Sequence, residues 1–407
     1  MKAPEILAPA GTFEKLKFSL AYGADAVYAA GEAYGLRYSA GNFGKTELKA
    51  AVEYTHALNK KIYITVNIFP RNKDIGPIKD YLAYLNSLKV DGMIIADLGV
   101  FNIAAKTAPD IPKHISVQAN NVNYETVSAW RDMGAKRIIL ARELSFDEIK
   151  EIRQQVPDME LELFVHGAIC IALSGRCLLS NYLKGRDANQ GDCAQSCRWS
   201  YTLMEEKRRG MYLPIEEDGR GTYIMNSKDL CVIDRVQDFV EIGIDSFKIE
   251  GRMKSAHYAA VTTAVYKKAI TEYLQNPKTY KYNDALYKEL EKVSHREYTR
   301  GFYFPDGTLN QNFKTSYYTS TFTLAAYALE EGKGIIKTMA KNTFRTGDAV
   351  EVLLPNGNFF PAQVEAVYNS EMLEEVYTKH DSVYFVKLSD KSVVPAFSII
   401  RTPNKEA

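Results

Sequence analysis

The stretch Leu161-Glu162-Leu163-Phe164-Val165-His166-Gly167-Ala168-Ile169-Cys170 is a short apolar run that ends on a histidine and leads into the first cysteine of the chain. Seven other runs share its apolar, β-branched character. They are Ile6-Leu7-Ala8, Ala26-Val27-Tyr28-Ala29, Ile62-Tyr63-Ile64-Thr65-Val66, Met93-Ile94-Ile95-Ala96, Ile115-Ser116-Val117-Gln118, Ile138-Ile139-Leu140 and Phe247-Lys248-Ile249. Helical segments separate them. Gly23, Gly134 and Gly243 each follow a helical run and precede a strand, where a left-handed glycine ends a helix. Strands alternating with helices predict a parallel sheet. Eight such units are the number that closes a (β/α)8 TIM-like barrel. The alternative is an open doubly wound sheet. No Gly-x-Gly-x-x-Gly follows the first strand, and Ala8-Pro9-Ala10-Gly11 is a plain strand-to-helix turn, which weakens its dinucleotide-binding version.

The gap from Leu161 to Phe247 is much longer than the others and holds all five cysteines. The spacing therefore predicts a cysteine-rich insertion, 167–232, leaving the C-terminal end of strand seven, the end that carries chemistry in such barrels. Within it, Arg198 to Met204 and Arg220 to Met225 read as a hairpin. The catalytic barrel is expected over 1–275, with a long helix from Ala256 to Leu274, and a polar, aromatic connector over 276–320. From 321 to 407 short strands with turn signals, Asn356-Gly357 the strongest, predict a small antiparallel β-barrel domain.

The chain has 407 residues, 46 % hydrophobic and 25 % charged, ordinary values for a folded protein able to bury a large core. Lys+Arg is 51 and Asp+Glu 50, a net charge of +1, which excludes a globally basic nucleic-acid binder but not a local basic face. Met1-Lys2-Ala3-Pro4-Glu5 has no basic start followed by an apolar stretch, and no apolar run approaches the ~18 residues needed to span a bilayer. A cytoplasmic protein with reduced thiols is expected, with no membrane partner.

Cys170, Cys177, Cys193, Cys197 and Cys231 are separated by six, fifteen, three and thirty-three intervening residues. These spacings match neither Cys-x2-Cys zinc pairs nor common ferredoxin runs. Four thiolates can hold tetrahedral zinc or an iron–sulfur cluster. A large barrel needs no structural staple, which tilts the reading toward a redox or Lewis-acid cluster. The plain alternative is five free thiols, some buried as small hydrophobes. A cysteine nucleophile, Cys170 activated by His166, would explain one cysteine of five.

At these residues the sequence resembles the collagenase-like peptidase family U32. The run Glu162 to Cys170, Ser174-Gly175-Arg176-Cys177-Leu178-Leu179-Ser180, Asn189-Gln190-Gly191, Cys193 and Cys197-Arg198-Trp199 carry the resemblance. So do the opening Glu5 to Gly11 and Lys248-Ile249-Glu250-Gly251-Arg252. Lys341-Asn342 and Phe344 before Gly347-Asp348 resemble the extra β-barrel of the longer members. Despite the family's name, the resemblance implies an oxygen-independent hydroxylase. Long members are similar to enzymes that hydroxylate C5 of the wobble uridine in tRNA, with prephenate as the suggested oxygen source. Others act on a ribosomal RNA cytidine or a ubiquinone precursor. The resemblance further implies a four-cysteine iron–sulfur cluster, 4Fe-4S, on Cys170, Cys177, Cys193 and Cys231. Cys197 is then the spare, with the choice between Cys193 and Cys197 open. It also implies a shorter paralogue as partner. The competing readings are a collagenase-like peptidase, for which neither His-Glu-x-x-His nor Gly-x-Ser-x-Gly is present, and a non-catalytic RNA-binding subunit.

Part of this is visible in the residues themselves. Between Arg176 and Arg209 seven basic residues stand against four acidic ones, with Tyr182, Trp199 and Tyr201 among them. Cations can neutralise phosphates while aromatics stack on an unpaired base of a tRNA anticodon loop. A solvated loop with ordinary charges is the bland reading. The polar residues at strand ends are Asn67, Asp97, Gln118, Asn120, Arg142, Glu143, His166, Glu250 and Arg252. Arg142 and Arg252 are the candidates for a dicarboxylate, since guanidinium forks match carboxylates, with Gln118 and Asn67 as further cofactor contacts. His166 and Glu250 are the candidates for proton transfer. His56, His114, His257, His295 and His380 lack strand-end placement.

Overall fold

In the computed structural model, which describes residues 2–36, 41–170, 172–198, 217–218, 221–222, 227–305 and 318–404, all eight apolar runs lie on or beside strands. They are β1 (Glu5–Pro9), β2 (Ala26–Ala29), β3 (Lys61–Val66), β4 (Gly92–Ile95), β5 (Lys113–Ile115), β6 (Arg137–Ile139) and β7 (Glu160–Ala168). The eighth barrel strand is β9 (Ser246–Ile249), since the short β8 (Asp229–Cys231) precedes it. Each barrel strand pairs in parallel with the next, and β9 pairs with both β7 and β1, so the sheet closes into an eight-stranded barrel. Helices α2 (Lys45–Ala57), α3 (Asn72–Leu88), α4 (Leu98–Thr107), α5 (Tyr124–Asp132) and α6 (Phe146–Gln155) follow β2 to β6. Each buries one face, such as Leu48, Ala51 and Val52 of α2. Side-chain caps start α5 and α6: Asn123 accepts from the Thr126 N–H, and Ser145 with Glu148 forms a reciprocal capping box. Gly23, Gly134 and Gly243 all have positive φ at the expected helix ends.

Two strands depart from the reading of the sequence. The run 115–118 is mostly not strand: β5 ends at Ile115, and Val117–Ala119 is a 3-10 turn closed by Asn120 at φ +62°. Asparagine tolerates that left-handed conformation, so no glycine marked the turn. β7 runs past Val165 because its last residues find a new partner. Ala168, Gly167 and His166 pair antiparallel with Asp229, Leu230 and Cys231 of β8, and β8 pairs in parallel with β10 (Tyr298–Thr299). Between β7 and β8 the described residues form α7 (Leu179–Lys184), three 3-10 turns and one two-residue strand pair, Glu217–Asp218 with Gly221–Thr222. The rest of the expected hairpin lies outside the described residues. After β8, a 3-10 turn over Ile233–Arg235 leads into α8 (Val236–Glu241), the helix before the last barrel strand.

The chain falls into two compact units. One comprises 1–16, 25–253 and 296–318; the other comprises 17–24, 254–295 and 319–407. These limits differ from the boundaries expected at 275 and 320. α9 (Ala256–Gln275) and α10 (Asp284–Leu290) go with the tail, while 296–318, with β10, returns to the barrel unit. No helix among the described residues is long and apolar enough to cross a membrane.

The tail unit is a closed six-stranded antiparallel barrel. Its strands are β11 (Phe322–Ala328), β12 (Ile335–Ala340), β13 (Ala349–Leu353), β14 (Phe359–Tyr368), β15 (Ser382–Leu388) and β16 (Ile399–Pro403). The order is β11-β16-β13-β14-β15-β12, and β12 pairs back to β11. Asn356-Gly357 makes the β13–β14 turn, with Gly357 at φ +79°. Alternate residues such as Val352, Val364, Val386 and Ile400 fill the core. In the same unit Arg401, wholly buried, ion-pairs with Glu351 and with Glu289 at 2.6 Å, and Lys292 joins both carboxylates.

His257 on α9 is buried, and its pKa is lowered to about 3, chiefly by burial and then by the Arg401 and Lys292 cations. A histidine lowered in this way is neutral when folded and takes up a proton on unfolding. Its contribution to stability is therefore complete above about pH 6.5 and is lost as the pH falls toward 3. His257→Gln should flatten the fall in unfolding free energy between pH 4 and 6 by up to one proton, about 1.4 kcal/mol per pH unit. Urea titrations of both proteins across that range measure it, and parallel slopes would refute it.

Candidate functional site

The C-terminal ends of the barrel strands open into a cavity that is continuous with solvent. Its wall takes Tyr28 from β2, Thr65 of β3 with Asn67 just beyond, Ile94 from β4, Phe164 from β7 and Lys248 from β9 with Glu250 beyond it. Ser116 and Gln118 follow β5, and Arg142 follows β6. This is the face where a parallel barrel collects its loops.

The segment after β7 forms the rest of the wall. Cys170, Cys177, Cys193 and Cys197 line it, each half-buried. Several hydrogen bonds tie that segment to the barrel. The Ser174 N–H donates to Glu143 Oε1 at 2.6 Å, and its hydroxyl donates to Asn120 Oδ1 at 3.1 Å. The Phe69 N–H donates to the Asn189 carbonyl at 3.0 Å. Asn189 also clamps Cys177, accepting from its N–H at 3.2 Å and donating to its carbonyl at 3.0 Å. The Gln195 N–H points at the Cys193 sulfur, 3.3 Å away. Among the described residues no three His, Cys, Asp or Glu side chains stand close enough together to hold a metal ion, so the four thiols share a wall without forming a finished cage. Their chemistry fits a soft metal: four sulfurs around one cavity suit zinc or an iron–sulfur cluster better than a hard cation.

Of the residues singled out from sequence, Asn67, Gln118, Arg142, Glu250, Arg252, Cys170, Cys177 and Cys193 come together on this wall. Asn67 Nδ2 donates to Ser116 Oγ at 3.4 Å and to Gln118 Oε1 at 3.2 Å, an amide cluster at one side. Arg142 Nη1 donates to the Ala168 carbonyl at 2.7 Å and its guanidinium lies 5.0 Å from the Phe164 ring centre. The Tyr28 hydroxyl donates to Glu250 Oε2 at 3.3 Å and to the Ile249 carbonyl at 3.0 Å. The Arg252 carbonyl accepts from Lys15 Nζ at 2.8 Å. Burial lowers the Lys15 pKa, Glu14 opposes that, and the Arg252 cation lowers it further. Asp97 instead caps α4, accepting from the Val100 N–H at 2.9 Å.

His166 and Cys231 are not on the wall. They are register partners across β7 and β8, so they lie side by side on the sheet extension. His166 is buried, with its ring 5.2 Å from that of Tyr298. The local reason is Gly167, at φ +105°, where β7 leaves the barrel register for its pairing with β8. Trp199 and Tyr201 of the basic segment lie outside the described residues, as do Lys207, Arg208 and Arg209. Within it, Arg176 Nε donates to the Gln118 carbonyl at 2.9 Å with its guanidinium 5.3 Å from the Phe69 ring centre, and Arg186 pairs with Asp192 at 2.6 Å.

Sequence reasoning missed Lys248, Tyr28 and Asn189. Lys248 had a readable signal: it stands two residues before Glu250, so both face the barrel interior. Nothing local marked Asn189 as the clamp on Cys177.

The model of peptidase family U32 matches residues 11–312, and that of its C-terminal domain matches residues 323–401. The chain is 39 % identical over 400 residues to tRNA hydroxylation protein P of Escherichia coli, covering 88 % of each chain. It is 38 % identical over 400 residues to tRNA hydroxylation protein P1 of Bacillus subtilis, covering 97 % of this chain and 94 % of that one. A shorter relative from Bacillus subtilis, tRNA hydroxylation protein P2, is 35 % identical over 310 residues, 75 % of this chain and 99 % of its own.

Proposed function

Because the chain belongs to peptidase family U32, with both the main domain and the C-terminal domain, we propose that it is an RNA hydroxylase acting on C5 of the wobble uridine in tRNA. The observation that carries this reading is the likeness, along nearly the whole chain, to two proteins named for tRNA hydroxylation. A thiol- and cation-lined cavity at the active end of the barrel supports it. A cytoplasmic site of action follows from a tRNA substrate. The long and short relatives of one organism support a shorter paralogue as a partner.

Turning C5–H into C5–OH inserts an oxygen atom and removes two electrons from the base, so an oxygen donor and a two-electron acceptor are both required. Prephenate, a dicarboxylate, fills the place of the oxygen donor in this proposal, and the two electrons leave to a separate acceptor. The charged side chains on the wall are Arg142, Lys248 and Arg252 against Glu250, which suits a dianion. Arg142 and Arg252 bind carboxylates, and the Asn67–Ser116–Gln118 cluster orients the ligand between them. Glu250, on the wall and hydrogen-bonded by Tyr28, holds or moves a proton at its Oε2. His166 stands off the wall, which leaves Glu250 the stronger of the two proton-transfer candidates.

Cys170, Cys177 and Cys193 would hold an iron–sulfur cluster, 4Fe-4S, with Cys231 as the fourth ligand by family pattern and Cys197 the thiol that competes with Cys193 for its place. When bound, such a cluster supplies one-electron and Lewis-acid chemistry. Arg176 and the aromatic residues after Cys193 would meet the anticodon loop, whose wobble base is already unpaired and cheap to extrude.

Mass spectrometry of tRNA nucleosides tests the reading. A strain deleted for this gene should lose 5-hydroxyuridine and its derivatives at the wobble position, and the full chain should restore them. An unchanged nucleoside profile in the deletion strain, with peptide hydrolysis by the purified protein, would favour the peptidase reading instead.

A further inference from the structure

The barrel interior below the cavity holds a row of buried charges. Arg137 Nη1 lies 2.6 Å from Glu5 Oε1 and 3.2 Å from Glu162 Oε2, and Lys248 Nζ lies 2.8 Å from Glu162 Oε1. The signs alternate along the chain Glu5, Arg137, Glu162, Lys248. Glu162 is wholly buried and Lys248 nearly so. A buried ion pair contributes little net stability over well-packed apolar residues, because desolvation offsets the attraction. Stability alone therefore gives no reason for this row at the centre of a barrel.

Its upper end does face something. Lys248 lines the cavity, with its ammonium 4.6 Å from the Tyr28 ring centre and 5.5 Å from that of Phe164. The two rings flank the cation with apolar faces, and the Tyr28 hydroxyl is engaged with Glu250. Burial lowers the Lys248 pKa, and the Glu162 carboxylate behind it opposes that shift. Arg137 in turn holds Glu162 in place from below.

We propose that Lys248 is the specificity-determining residue for the small anionic co-substrate: its ammonium takes one carboxylate of a dicarboxylate at the cavity floor, between the Tyr28 and Phe164 rings. Arg142 or Arg252 takes the second carboxylate nearer the mouth. Glu162 is a positioning residue that keeps the ammonium beneath the ligand, and the flanking rings accept the unsaturated ring that carries the carboxylates. The inference rests on the proposed use of a dicarboxylate co-substrate and adds the residue that reads its second charge.

Calorimetric titration of the iron-loaded full chain with prephenate, and with its one-carboxylate relative phenylpyruvate, tests it. The variant is Lys248→Met combined with Glu162→Gln, which removes the pair together and leaves no lone charge buried; Arg137 keeps Glu5 and Glu160 as partners. Unfolding temperature and iron content verify that the variant is intact. Loss of one charge-assisted contact should weaken prephenate binding by about 10- to 100-fold. It should also abolish the preference for prephenate over phenylpyruvate, which a purely structural role would leave unmoved. Equal affinity and equal preference in the wild type and the variant would overturn this proposal alone. Absence of prephenate binding to the wild-type protein would overturn the co-substrate reading and this proposal with it.

Discussion

Gly167→Ala should leave the chain with almost no activity and a sharply lower unfolding temperature. Gly167 sits at φ +105°, where a side chain is strained by roughly 1–3 kcal/mol whatever its surroundings. Here the surroundings also forbid it. A Cβ would overlap the Glu250 carbonyl oxygen and lie 3.0 Å from both the carbonyl carbon and the Cβ of Glu250. The obstacle is backbone, not the flexible end of a side chain. Relief would have to move Glu250, whose N–H donates to the His166 carbonyl at 2.8 Å, or break the pairing of β7 with β8. Either shift displaces Glu250 from the cavity wall, and a displacement near 1 Å at a reacting group costs about 100-fold in rate. Thermal unfolding and the proposed tRNA hydroxylation measured on the same preparation provide the check. A variant with wild-type melting and turnover would mean that this corner of the barrel yields easily.

If the proposed cluster is present, Cys177→Ser should remove hydroxylation to background and take the iron with it. Cys177 is clamped at both its N–H and its carbonyl by Asn189. The serine hydroxyl is nearly the same size, so the fold should survive, while a soft metal loses one sulfur ligand. The expected readouts are a colourless protein after anaerobic purification, an iron content far below four per chain, and an unchanged unfolding temperature of the tail unit. The same measurement on Cys193→Ser and Cys197→Ser decides between those two thiols: only the true ligand should cost iron. A zinc-loaded colourless wild type, with tRNA modification intact in Cys177→Ser, would overturn the cluster.

The barrel was legible because its strands are buried on both faces and so read as near-continuous apolar runs, while glycines mark where several helices stop. The run 115–118 misled because Ser116-Val117-Gln118 has strand-like composition, and only the left-handed Asn120 turns the chain there. β8 was invisible for another reason: three residues, Asp229 to Cys231, acquire their pairing from the distant end of β7, and no local periodicity encodes a partner so far away. The tail barrel showed itself through turn chemistry, but not its limits, since 254–295 joins that unit through packing that composition does not reveal. At the site, polar residues at strand ends were readable from position alone. Lys248 was passed over because a lysine inside an apolar run is ordinarily solvent-facing, and only the three-dimensional proximity of Glu162 makes its burial tolerable.

The pairing of Ala168 with Asp229 has one more consequence. The segment bearing four of the five cysteines departs from and returns to the same rung of one ladder, so its two ends are pinned together whatever lies between. Loop-closure entropy grows only logarithmically with length, about 0.6 kcal/mol for each doubling. Insertions or deletions in that excursion can therefore accumulate at little thermodynamic cost and without altering the barrel's register. The scaffold and the part that meets the substrate can diverge at different rates, and a family built this way can change what it acts on while keeping the same closed sheet.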